Sequence, residues 1–193
     1  MSATDDRDLL ERHGQALDLF TAKAHAVRAN QWHGPTPCAR WTVHDLVNHL
    51  TAEQLWVPPL LEGATLESVG EAFDGDQLGP DPLASWDTAA GASRAAFRAP
   101  GALTRTVHLS YGDSTARDYC AQMVTDLVVH AWDLARATGS DEHLPDDLVA
   151  LAAREVAPYA ADLAKSGLFA PAVAPPPGAD AQTALLCLLG RTP

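Results

Sequence analysis

The chain of 193 residues is long enough for one domain with a substantial core, and 47% of its residues are hydrophobic. Its net charge of −12, with two Lys and eleven scattered Arg, argues against binding to a phosphate backbone. No signal peptide is recognisable, and no apolar run approaches the roughly 18 residues of a membrane span. We therefore expect a single domain over residues 1–193, cytoplasmic, without nucleic-acid or membrane partners.

The first half of the chain predicts two helices. Apolar residues recur at helical spacing over residues 5–31, and the segment Gly34–Cys38 ends that pattern with two prolines. Thr42 then has the position of an N-cap, with Asp45 three residues later as its capping partner. The helix that follows continues towards residue 60, where the pair Pro58–Pro59 kinks or ends it.

The second half predicts mostly helix, with one β-element. Residues 62–82 are rich in Gly, Asp and Pro and indicate a loop, and the alternation in Thr104–Tyr111 indicates a strand or hairpin arm. The remaining predicted helices are 83–98, 116–138 with Gly139 as its C-cap, 146–165 and 181–189. The predicted fold class is all-α: a four-helix bundle with a short β-element and extra C-terminal helices.

Three cysteines, Cys38, Cys120 and Cys187, are widely spaced and form no CxxC pair. We expect reduced thiols, as in cytoplasmic proteins, with Cys120 in the core. Cys38, in Pro-Thr-Pro-Cys, is a weaker candidate for a reactive thiol.

Asp126 and His130 form the most informative pair. They lie four residues apart in a predicted helix that is otherwise mostly apolar, so both side chains lie on one face. A carboxylate and an imidazole placed in this way can bind one divalent ion. The alternatives are that Asp126 lies on a narrow exposed stripe or accepts a bond from a buried Arg or Trp. For His130 the alternative is a core histidine with satisfied ring nitrogens.

His49 is the candidate third ligand, because it lies beside apolar residues of the second helix. Together with Asp126 and His130 it would leave an open coordination position, as catalytic metal sites do. His44, five residues earlier, points about 140° away. Glu53, one turn after His49, is a candidate outer or additional ligand.

Asp133 can orient His130 from behind, or it can lie on the helix surface and pair with Arg136 or Arg117. The other histidines have no ligand-like neighbour at helical spacing, and we predict surface roles for them: His13, His25, His33, His108 and His143.

Two strings carry a resemblance to a known family. Trp41-Thr-Val-His-Asp-Leu-Val-Asn-His49 and Asp126-Leu-Val-Val-His-Ala-Trp-Asp-Leu-Ala-Arg-Ala-Thr-Gly139 resemble signatures of the mycothiol-dependent maleylpyruvate isomerase N-terminal family, within the DinB-like superfamily. The tail segments 169–173 and 185–193 resemble a compact metal-binding subgroup. The resemblance implies an up-down-down-up four-helix bundle whose divalent metal is bound by His49, Asp126 and His130.

The sequence also departs from that family. The isomerase has Glu and many DinB-like proteins have His where this chain has Asp126, and the shorter side chain predicts a deeper or weaker metal site. The isomerase also has a C-terminal domain with a catalytic Arg, which this chain looks too short to contain. Isomerase activity is therefore the less favoured expectation.

These observations lead to the hypothesis of a metal-dependent transferase that acts with a low-molecular-weight thiol such as mycothiol. The metal, zinc first with nickel, manganese or cobalt as alternatives, would deprotonate the thiol for attack on an electrophile. The group that takes the proton is unassigned. Alternatives are hydrolysis at the same site, an isomerase-like enzyme, a non-catalytic metal- or ligand-binding bundle, and an interaction protein with a structural polar pair. Either a monomer or a homodimer is compatible with the sequence.

Overall fold

Helices dominate the computed structural model, which describes residues 3–160 and 170–193. The described helices are α1 (Ala3–His25), α2 (Val43–Leu61), α3 (Leu66–Val69), α4 (Pro82–Arg98), α5 (Ala116–Thr138), α6 (Asp146–Val156) and α7 (Ala181–Leu188). Strands β1 (Thr106–Leu109) and β2 (Gly112–Thr115) form an antiparallel hairpin, and short 3-10 turns span Ala102–Thr104 and Ala157–Tyr159. The predicted fold class, an all-α bundle with a small β-element, is confirmed.

Helix α5 lies at the centre of the bundle. It packs against α1, α2 and α6, while α2 also packs against α4. The largest fully buried side chains come from α1, α2, α4 and α5 and from the segments between helices: Trp86, Trp132, Phe20, Phe97, Leu17, Leu46, Leu50, Leu60, Leu78, Leu127, Leu134 and Leu144. Among the described residues, no helix is both long and apolar enough to cross a bilayer.

The start of α2 follows the sequence prediction. Thr42 is the N-cap, its hydroxyl accepts a hydrogen bond from the Asp45 backbone N–H, and the Asp45 carboxylate accepts one from the Thr42 N–H. The prolines do not end the helix, which continues through Pro58–Pro59 to Leu61. Their missing N–H groups remove hydrogen bonds only near the helix end, where buried Leu60 and Leu61 hold the last turn in the core.

Three further boundaries differ from prediction. Helix α1 ends at His25 instead of residue 31, because the Gln31 side chain bonds the Arg28 N–H and the Thr138 carbonyl and so stabilises a loop. The loop 62–82 contains the one-turn helix α3. The fifth predicted helix is observed to Val156, and its predicted residues 161–165, like residue 169 of the tail, lie outside the described residues.

His13 corrects a prediction of surface exposure. Its side chain is buried between α1 and α4, where the ring makes an edge contact with Phe97 at 4.9 Å between centroids. Burial, then the charges of Arg94 and Arg98, lower the His13 pKa to about 3, so the ring is neutral in the core. The prediction was wrong because the sequence of α1 does not show which of its faces packs against α4.

Thr42→Ala is expected to lower the free energy of unfolding by about 1 kcal/mol, because it removes the side-chain acceptor of the α2 capping box. Urea denaturation of the metal-free variant beside the wild type measures the difference. Thr88→Ala is a suitable control, since the Thr88 hydroxyl is exposed and bonds only the Ala84 carbonyl of its own helix. Equal losses in the two variants would contradict the role of the cap.

Candidate metal centre

Helices α2 and α5 bring His49, Asp126 and His130 together. Asp126 lies between the two imidazoles: its Oδ2 is 3.3 Å from His49 Nε2, and its Oδ1 is 3.4 Å from His130 Nε2. The three ligand atoms all lie within 4.8 Å of one another. The capped start of α2 and the helical spacing of α5 therefore place the three predicted side chains around one point in space.

The surroundings of Asp126 fit a bound cation. Its Oδ2 is buried, and among the described residues it has no hydrogen-bond partner of acceptable geometry, although His49 Nε2 is 3.3 Å away. A carboxylate oxygen withdrawn from water without a partner is costly, and a coordinated ion offsets that cost. Two imidazole nitrogens and one carboxylate oxygen are also a ligand set typical of zinc. The residues present therefore fit a divalent metal.

The charges of the three groups depend on one another. Burial alone would raise the Asp126 pKa, but the His130 charge and the close approach of both imidazoles hold that pKa far below its ordinary value. Burial alone would lower the His130 pKa, but Asp126 and then Asp133 hold it well above its ordinary value. In the metal-free protein a proton on His130 thus supplies the positive charge that Asp126 requires.

A second layer of polar groups lies behind His130. Its Nδ1–H donates to Asp133 Oδ2 at 2.9 Å, and the Cys38 thiol donates to the same oxygen at 3.2 Å. Arg191 donates to both Asp133 oxygens, from Nε at 3.2 Å and from Nη2 at 2.7 Å. Asp133 is completely buried, so the predicted alternative of a surface ion pair with Arg136 or Arg117 is wrong.

Cys38, His130 and Asp133 also have ligand atoms close enough to hold an ion. The guanidinium of Arg191, however, lies 2.7 Å from Asp133 Oδ2 and 3.7 Å from Cys38 Sγ. A second cation at that position would meet a fixed positive charge at short range. The cluster of His49, Asp126 and His130 is therefore the candidate metal centre, and Asp133 acts on it through the His130 ring.

Glu53, one turn after His49 on α2, is within electrostatic range of the same centre. Burial and then the charge of Asp126 raise the Glu53 pKa, and His49 and His130 lower it in part. Asp126 and Glu53 are thus two carboxylates whose pKa values are driven in opposite directions. Such a pair is typical of sites in which one group binds and the other exchanges protons.

An open cleft of about 490 Å³ gives access to the centre. It is lined by Arg40, Trp41, Asp45, Asn48 and His49. The Trp41 ring stacks on His130 at 5.8 Å between centroids and lies 4.8 Å from the His49 ring. Trp41 therefore packs against both histidine rings and forms an aromatic wall where a small ligand would enter.

Sequence reasoning did not assign Trp41 or Arg191 to the site. Trp41 lies directly before the N-cap of α2 and eight residues before His49, and this position could have indicated that its ring lies near the site. Arg191 is separated from Asp133 by 58 residues and had no local signal. His44 points away from the centre, as predicted, with Nε2 3.7 Å from Asp76 Oδ1.

The fold and this centre define a class of helical-bundle protein with a three-residue His–Asp–His cluster between helices. The sequence profile of the mycothiol maleylpyruvate isomerase N-terminal domain family matches residues 13–135. The chain therefore belongs to that family, as its two sequence signatures indicated.

Relatives of the chain do not identify its activity. Two proteins described as uncharacterized, from the CDC 1551 / Oshkosh and ATCC 25618 / H37Rv strains of Mycobacterium tuberculosis, are each 35% identical over 146 residues. Those residues cover 73% of this chain and 73% of each relative. No solved structure gives a significant match.

Proposed function

We propose that this protein is a divalent-metal-dependent S-transferase that uses a low-molecular-weight thiol of the mycothiol type. The observation that supports the proposal is the convergence of His49, Asp126 and His130, with an unsatisfied carboxylate oxygen, beside an open cleft. Three protein ligands leave one coordination position for a small molecule. The family to which the chain belongs is named for mycothiol, which supports a thiol as that molecule.

The residues of the site have separate tasks in this proposal. His49, Asp126 and His130 would hold the ion, which when bound supplies Lewis acidity and lowers the pKa of an entering thiol. Trp41 covers one side of the two imidazole rings, limits water there, and leaves the cleft side open to the thiol and its electrophilic partner. The residue contacts named here all lie in the part of the chain that the structure describes.

Glu53 is the proposed proton acceptor. The pKa of a carboxylate with this task should lie closer to neutrality than that of a ligand carboxylate, because efficient proton transfer requires comparable basicities. The Glu53 pKa is raised by burial and by Asp126, whereas the Asp126 pKa is lowered by its imidazole neighbours. We assign the thiol proton to a Glu53 carboxylate oxygen and the ligand role to Asp126.

Elemental analysis of protein free of an affinity tag tests the metal centre. We expect about one equivalent of zinc or a similar divalent ion per chain in the wild type and loss of that ion in His49→Ala. His44→Ala is the matched control, because His44 lies on the same helix, is similarly exposed and faces Asp76 instead of the centre. Wild-type protein that neither contains nor takes up divalent ions would refute the proposal.

Turnover is tested separately, by mixing the metal-loaded protein with thiols and electrophiles and measuring the loss of free thiol. Product formation that requires both metal and thiol, and that falls in Glu53→Gln at full metal occupancy, is the expected result. Metal binding without turnover of any pair of thiol and electrophile would indicate that the protein is a non-catalytic metal-binding bundle. Isomerisation of an unsaturated substrate without net thiol loss would instead indicate an isomerase-like enzyme.

A further inference from the structure

We infer that Arg191 is a positioning residue of the metal centre: it fixes Asp133, and Asp133 in turn orients the His130 ring. The inference rests on the proposed metal centre, but the contacts that support it are hydrogen bonds between residues of the chain and involve no metal. They join the segment after α7 to the C-terminal third of α5, across 58 residues of sequence.

The end of α7 directs Arg191 towards α5. Gly190 has φ +79°, its N–H bonds the Cys187 carbonyl, and the Arg191 N–H bonds the Leu186 carbonyl. This pattern is a Schellman motif, which reverses the chain after a helix. A Cβ at position 190 would lie 2.6 Å from the Ala170 carbonyl oxygen, so only glycine fits both the conformation and the space.

The contact between Arg191 and Asp133 is buried and has two hydrogen bonds. The Asp133 side chain is 0% exposed and the Arg191 side chain 11% exposed. Nε and Nη2 donate to the two carboxylate oxygens, and Nη1 donates to the Leu189 carbonyl. A guanidinium that donates to both carboxylate oxygens fixes the plane of the carboxylate as well as its charge.

The consequence for His130 is geometric. Asp133 accepts hydrogen bonds from Arg191 at both of its oxygens, so the His130 Nδ1 beside it meets an acceptor and donates to it. It therefore requires the proton on His130 Nδ1, which leaves Nε2 directed at Asp126. Without Arg191, Asp133 would lose the guanidinium that fixes its plane and would no longer hold the ring in one orientation.

Arg191 could instead serve only to anchor the tail, in which case its removal would change stability without a specific effect on metal binding. Three variants separate the two roles. Arg191→Met removes the guanidinium, and Arg191→Lys keeps the charge without the planar fork. Arg117→Met is the matched control, because Arg117 pairs with Asp6 at 3.0 Å and is also partly buried, but has no contact with the centre.

Zinc affinity is measured by competition with a chromophoric chelator, beside thermal unfolding of each metal-free variant. We expect Arg191→Met to weaken zinc binding by about 10- to 100-fold, as loss of a partner behind a metal-bound histidine does elsewhere. Arg191→Lys should recover part of that loss, and Arg117→Met should stay within about twofold of the wild type. Wild-type affinity in Arg191→Met, or an equal loss in Arg117→Met, would overturn the inference.

A second measurement does not depend on metal. In the metal-free wild type, the Nδ1 proton of His130 should give a downfield NMR signal protected from exchange, because Asp133 accepts it in a buried position. Loss of this signal in Arg191→Met, but not in Arg117→Met, is expected. An unchanged signal would overturn the positioning role even if the wild type bound no metal, whereas failure of metal uptake alone would refute only the proposed function.

Discussion

His130→Ala is expected to abolish stoichiometric binding of zinc or a similar ion, while the bundle stays folded. His130 supplies one of the three ligand atoms, and its ring contacts both Asp126 and Asp133. Loss of one protein ligand from a three-ligand site leaves two, which do not compete with a chelator for a divalent ion. Equilibrium dialysis against zinc, followed by elemental analysis, measures the stoichiometry.

The control for this experiment is His108→Ala, since His108 lies on the hairpin and pairs with exposed Asp113. Circular dichroism of both variants checks that the helices remain. Because His130 is buried, its truncation also removes packing, so His130→Gln provides a variant of closer volume that still lacks the imidazole. Full retention of one equivalent of metal in His130→Ala and His130→Gln would contradict the assignment of the centre.

The sequence predicted α5 well because both of its ends carry local signals. Thr115 accepts a hydrogen bond from the Asp118 N–H, and Gly139 adopts φ +69°, so the boundaries depend on residues within one turn. The end of α1 was predicted poorly because Gln31 fixes the loop through Thr138, more than 100 residues away. Local chemistry predicts caps, whereas a loop held by a distant carbonyl has no signature in its own sequence.

The same distinction holds for the site. The spacing of Asp126 and His130 follows from helix geometry, which is why one face of α5 could be predicted before the bundle was seen. His49 required the further expectation that α2 packs on that face, which its neighbouring apolar residues supplied. Arg191 and the burial of His13 depend on tertiary packing of α7 and α4, and no periodicity in the sequence encodes either contact.

Asp126→Asn is expected to weaken zinc binding by at least about tenfold, because a neutral amide is a poorer ligand for the ion than a carboxylate. The substitution keeps the shape of the side chain, so its effect isolates the charge. Chelator competition at constant pH measures the change. Unchanged affinity would make Asp126 a structural residue, and the centre would then lack its carboxylate ligand.

The same substitution has a second, pH-dependent effect in the metal-free protein. The lowered Asp126 pKa stabilises the fold above the unfolded-state pKa near 3.8, and this stability is lost as pH falls through the folded pKa. The raised His130 pKa stabilises the fold below about 6.5, and this stability is lost as pH rises through the folded pKa. Both contributions are therefore complete only between these two values.

Asp126→Asn should accordingly lower the free energy of unfolding by about 2 kcal/mol at pH 5, the size of a hydrogen bond between charged groups. The difference should shrink at alkaline pH, as His130 loses its proton and Asp126 loses its charged partner. Urea denaturation with a chelator present, at several pH values, measures both quantities. A difference that stays constant with pH would mean that Asp126 stabilises the metal-free bundle through packing, and that its charge is not balanced by His130.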